Sequence, residues 1–96
     1  MFKTTICVLT EEGFFEEDGI VVNLPVIPPK GIVLRLSENQ ELLLEAKAKV
    51  SKNSELYKNG LKEINFSDDI YVLYVYYYIE TNKVTIVLHH EPVLSF

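Results

Sequence analysis

The stretch Ile70–His90, IYVLYVYYYIETNKVTIVLHH, decides how the rest of the chain is read. Two runs rich in Tyr, Val and Ile flank the polar break Glu80-Thr81-Asn82-Lys83. Branched and aromatic side chains favour a pleated surface, and Asn tolerates the left-handed backbone of a tight turn, so the stretch predicts a β-hairpin. A two-residue loop at Thr81-Asn82 pairs Ile79 with Val84, Tyr77 with Ile86 and Val75 with Leu88. A loop at Asn82-Lys83 pairs Ile79 with Ile86. Both give the same faces, because side chains alternate with period two. One face is Tyr71, Leu73, Val75, Tyr77 and Ile79 with Val84, Ile86 and Leu88, the expected core face. Leu73, Val75, Ile79, Ile86 and Leu88 are expected to be buried together. The other is Val72, Tyr74, Tyr76 and Tyr78 with Thr85, Val87 and His89, a stripe of tyrosines.

Outward from the hairpin, Pro92 ends the second strand, and Val93-Leu94-Ser95-Phe96 reads as an apolar tail that docks. His89-His90-Glu91 resembles a metal-ligand cluster, but neighbours on a strand point to opposite faces, so the two imidazoles do not converge on one ion. No metal or cofactor is expected. Upstream lies Ser51–Asp69, the least regular segment; Ser54–Asn59 suggests a helical turn closed by Gly60. Residues 47–62 hold five lysines and one acid, Glu55, whereas residues 1–45 hold eight acids and three bases. That asymmetry reads as a solvated segment, with a surface for an acidic partner as the sharper alternative.

Ser37 opens a helix. Ser37 and Gln40 form a capping box, and Glu38 and Glu41 suit the positive end of the helix dipole. Steps of 100° place Leu42, Leu43, Ala46 and Val50 on one arc. Residues 41–50 also alternate as a strand would, but Glu, Leu, Ala and Lys are helix formers and the cap agrees with them.

The N-terminal third reads as β. Phe2–Thr10 alternates Phe2, Thr4, Ile6 and Val8 against Lys3, Thr5, Cys7 and Leu9. Cys7 reads as a small apolar core residue, since no base or cationic neighbour suggests a nucleophile. In Glu11–Gly19 five acids surround Phe14-Phe15 without calcium-loop spacing. Its phenylalanines require a dry partner, so the loop folds back on the body, with a short extra strand between turns at Glu12-Gly13 and Asp18-Gly19. Ile20–Leu24 is a short strand that Pro25 ends, and Ile32–Leu36 is another after a Pro-rich crossover. A Pro-rich ligand for an SH3-type groove is a minor reading, since the repeated spacing is missing.

The order is then β-β-β-α-β-β: one α+β domain over residues 1–96, mainly antiparallel, with a partly open small barrel as its curled form. Ninety-six residues suit one core. No apolar run reaches the ~18 residues of a membrane span, and the first ten residues lack the features of a secretion signal. The net charge of −5 opposes general nucleic-acid binding. One cysteine excludes an internal disulfide and fits a cytoplasmic setting, or the inside of a virus particle for a phage-encoded chain.

These features favour a non-catalytic protein interaction or assembly module, of the structural or accessory kind found in phages and mobile elements. Its candidate surface is Tyr74, Tyr76 and Tyr78, and its partner a protein or a second copy. A small-molecule or peptide-binding barrel with a tyrosine-lined pocket is the alternative, and an enzyme using His89 or His90 is third. The tyrosines either lie beneath the helix, against Leu42, Leu43, Ala46 and Val50, or lie open, with Tyr78 at the loop end contacting another chain.

Overall fold

The computed structural model describes residues 1–10, 12–57 and 69–89. The elements are β1 (Phe2–Val8), a 3-10 turn (Glu16–Asp18), β2 (Ile20–Leu24), α1 (Glu38–Val50), β3 (Tyr71–Tyr78) and β4 (Lys83–His89). They form an α+β fold built on a four-stranded sheet of order β2-β1-β4-β3. The hairpin pairs β3 and β4 antiparallel, β1 and β2 are antiparallel, and β1 runs parallel to β4. The sheet does not close into a barrel.

The two central strands explain the apolar runs. β4 is buried at five successive positions, Val84 to Leu88, because side chains from both of its faces are covered. On one face Ile6, Val8, Ile20, Val72, Val84, Ile86 and Leu88 form the core with Leu44 and Ile70, and Ile27, Leu34, Leu36 and Val75 pack around it. On the other face Cys7, Thr85 and Val87 are also buried.

The hairpin turn spans residues 79–82, with Tyr78 paired to Lys83, and Asn82 has φ 54°. The loop is longer than two residues but even in length, so the parity of the expected faces holds: Val75 lies opposite Ile86 and Tyr77 opposite Val84. The expected core face is corrected at four positions: Val75 is only partly buried at the rim of the core, Tyr77 is 46% exposed, and Ile79 and Leu73 depart from it as follows. Ile79 sits in the turn and is 83% exposed. A bulge between Val72 and Tyr74 inserts Leu73 as an extra residue, so Val72 pairs with Leu88 and takes the fully buried place expected of Leu73, which is only partly buried. One inserted residue reverses the alternation beyond it.

The helix starts as its residues dictate: the Ser37 side chain accepts from the Gln40 amide at 3.2 Å and the Gln40 side chain accepts from the Ser37 amide at 2.9 Å. Its buried face is different from the expected arc. Leu44 and Ala48 are buried, whereas Leu42, Leu43, Ala46 and Val50 are exposed. Three successive leucines sweep about 200° of a helix, so they do not select a face by themselves. Ala48 is buried one turn beyond Leu44, and Lys47 beside it donates to the Gly19 carbonyl at 2.6 Å.

The third expected strand does not form as an element. Only Val33 makes a bridge, to Tyr71. Yet the segment runs along the start of β3 through Gly31 N–H to Val72 O (2.7 Å), Val72 N–H to Ile32 O (2.9 Å) and Leu34 N–H to Ile70 O (2.9 Å). The exposed Arg35–Asp69 pair at 2.6 Å closes its far end. The formal order is therefore β-β-α-β-β. Pro25 does end β2 after Leu24. Residues 54–57 form a helical turn; Gly60, His90, Glu91 and the apolar tail lie outside the described residues.

Candidate functional site

Tyr74, Tyr76 and Tyr78 project from one face of β3, opposite Val87, Thr85 and Lys83 of β4. They alternate because strand side chains do, and the bulge at Leu73 precedes them, leaving their parity intact. Their relative exposures are 41%, 37% and 41%. The helix does not cover them; Leu42, Leu43 and Val50, expected against the rings, face solvent.

What borders the stripe is the acidic loop. The Thr10 amide donates to the Gly13 carbonyl at 2.7 Å, and Gly13 turns the chain at φ +116°, a conformation that glycine adopts without a steric penalty. The turn at Glu12-Gly13 is as expected, but the following residues form the 3-10 turn Glu16–Asp18 and no extra strand. The loop does fold back on the body. Phe14 lies tilted against Tyr76, centroids 5.2 Å apart, and Tyr76 lies 6.0 Å from Tyr74. Glu16 accepts from the Tyr78 hydroxyl at 2.6 Å and from Thr85 Oγ1 at 3.0 Å. At the opposite end the Lys30 ammonium stands 5.9 Å from the Tyr74 ring centroid. The result is a ladder of Phe14, Tyr76 and Tyr74, with the Glu16 carboxylate on Tyr78 at one end, where Lys83 is also paired, and the Lys30 ammonium over Tyr74 at the other.

The carboxylate of Glu16 raises the pKa of Tyr78, chiefly through the hydrogen bond that holds the phenol proton. Beneath the loop, Tyr57 is buried, donates to Asp18 at 3.1 Å and stands edge-on to Phe15 at 6.2 Å. Burial, then the Asp18 charge, pushes its phenol up. Cys7 is 1% exposed, and burial, with Glu16 second, pushes its thiol up to about 12. Cys7 is thus a core side chain, as its sequence context implied.

The sequence did not reveal Phe14, Glu16 and Lys30 as neighbours of the stripe. The only signal for Phe14 was its need for a dry partner; nothing local joins residue 16 to residue 78. A shallow depression of about 360 Å³ at the hairpin tip is lined by Tyr77, Tyr78, Ile79, Glu80 and Thr81. Among the described residues no group of three or more His, Cys, Asp or Glu is placed to hold a metal ion, and no helix is long and apolar enough to cross a membrane.

Comparison with known proteins returned no matching family model, no matching curated protein and no matching solved structure.

Proposed function

We propose that the chain is a non-catalytic interaction or assembly module whose working surface is the Tyr74, Tyr76 and Tyr78 face. The observation that carries this reading is the half-open aromatic ladder on an edge strand. Tyr buries a large ring with little loss of rotamer freedom while its hydroxyl keeps a polar contact, which suits it to the centre of an interface. The rings are also held in place before any partner arrives, by Phe14 beneath Tyr76 and Glu16 on Tyr78. Such preorganisation lowers the entropy cost of association.

The test is site-specific photo-cross-linking in cells that make the protein natively. A photoreactive phenylalanine at Tyr78 is compared with one at Val21, which is exposed on β2 at the other edge of the sheet. The reading expects one defined cross-linked product from position 78 and none from position 21. Equal yields at both positions, or no product at 78, would contradict it.

A further inference from the structure

We propose that the partner of the tyrosine face is a second copy of this chain, joined by antiparallel pairing of β3 with β3 about a two-fold axis at Tyr76. This rests on the reading of that face as a protein interface and names its occupant.

Three observations lead to it. First, β3 is an edge strand. Its outer side is taken at Ile70 and Val72 by residues 31–34; among the described residues nothing pairs with that side from Tyr74 to Tyr78. Second, Tyr71–Tyr78, YVLYVYYY, carries no charge, glycine or proline. Edge strands that stay single are guarded by charges, prolines, bulges or covering segments. Here the bulge and the covering segment lie before Tyr74, and among the described residues positions 74–78 have none of these. Third, the charged groups that touch the outer rings of the ladder are opposite in sign: Lys30 on Tyr74 and Glu16 on Tyr78. A two-fold interface must be self-complementary. With Tyr76 opposite Tyr76 of the partner subunit, Tyr74 lies opposite Tyr78 of the partner subunit. Lys30 stands over Tyr74 and Glu16 holds Tyr78. The pairing therefore brings Lys30 of each copy toward Glu16 of the other, twice by symmetry. A slip of one residue sets Tyr76 beside Tyr77, which belongs to the opposite face, and breaks both ladders. An axis normal to the sheet keeps the two tyrosine ladders on one side.

The experiment is sedimentation equilibrium of the full chain from low to high micromolar concentration, with folding of every variant checked by circular dichroism. Wild type is expected to pass from monomer to dimer. Tyr76→Lys and Tyr76→Glu each place two like charges on the axis and should weaken the dimer at least tenfold, while their equimolar mixture should restore it. Lys30→Glu, on an exposed side chain, should also weaken it at least tenfold and reverse its salt dependence, because two attractions become two repulsions. A Val21→Lys control on the far edge should dimerise as wild type does. A wild type that stays monomeric throughout overturns the proposal; if Tyr78 still cross-links to another protein in cells, the interface reading survives without it. A dimer indifferent to both Tyr76→Lys and Lys30→Glu overturns the proposed surface.

Discussion

The Tyr78 hydroxyl donates to the Glu16 carboxylate at 2.6 Å across 62 residues of sequence. This contact fastens the acidic loop to the edge strand and fixes the outermost ring of the tyrosine stripe. Glu16→Gln should lower the Tyr78 pKa toward its ordinary value, since the charge that favours the protonated phenol is gone. Phenol-ring chemical shifts followed against pH would show it; an unchanged midpoint would mean that the contact does not form in solution.

Stability should fall on the alkaline side. Tyr78, Tyr57 and Cys7 all have raised pKa values in the folded chain, Cys7 from 9.0 to about 12. A raised group contributes stability that is complete below its unfolded pKa and is lost as pH rises through the folded one. For Cys7 the window is pH 9 to 12, with a slope near 1.4 kcal/mol per pH unit. Cys7→Ala should flatten that part of a urea-unfolding series against pH. An equal slope in the variant would contradict the burial of the thiol.

The core can be tested at five positions. Ile86 is fully buried, so Ile86→Ala should cost about 2–5 kcal/mol. Leu44→Ala should fall in the same range, whereas Leu42→Ala, Leu43→Ala and Ile79→Ala should stay within about 0.5 kcal/mol. Chemical denaturation of the five variants distinguishes this core from the arc that helical periodicity alone would give. A large loss at Leu42 with none at Leu44 would reverse the helix face.

Gly19 sits where β2 begins beside β1, and a Cβ there would stand 2.6 Å from the Ile6 carbonyl oxygen. The obstacle is backbone, so it does not swing aside. Gly19→Ala should destabilise by about 1–3 kcal/mol, read as a lowered melting temperature with an unchanged far-UV spectrum after refolding.

The hairpin, the faces of β1, the proline stop after Leu24 and the capping box were all legible in the sequence, because each is set by residues adjacent in the chain. What was not legible depends on contacts between distant segments. The bulge at Leu73 is one unpaired residue in an unbroken apolar run, and nothing in YVLYV marks it. The burial of Leu44 in place of Leu42 and Leu43 follows from its joining the core of Ile6, Ile20 and Ile86, residues far from it in the chain. The parallel pairing of β1 with β4 joins strands some 80 residues apart in register Ile6 to Ile86. The Tyr74, Tyr76 and Tyr78 stripe was predicted from parity alone, but its setting between Lys30 and Glu16 arises from two loops whose local sequence says nothing of β3.

Backbone hydrogen exchange on β3, followed at rising protein concentration, reads the pairing of the two copies itself. If β3 pairs with β3 of a second copy, amides within residues 74–78 gain protection as concentration rises, while those of β2 at the other edge keep their rates. Protection that is independent of concentration across residues 74–78, or that grows on β2 instead, would contradict it.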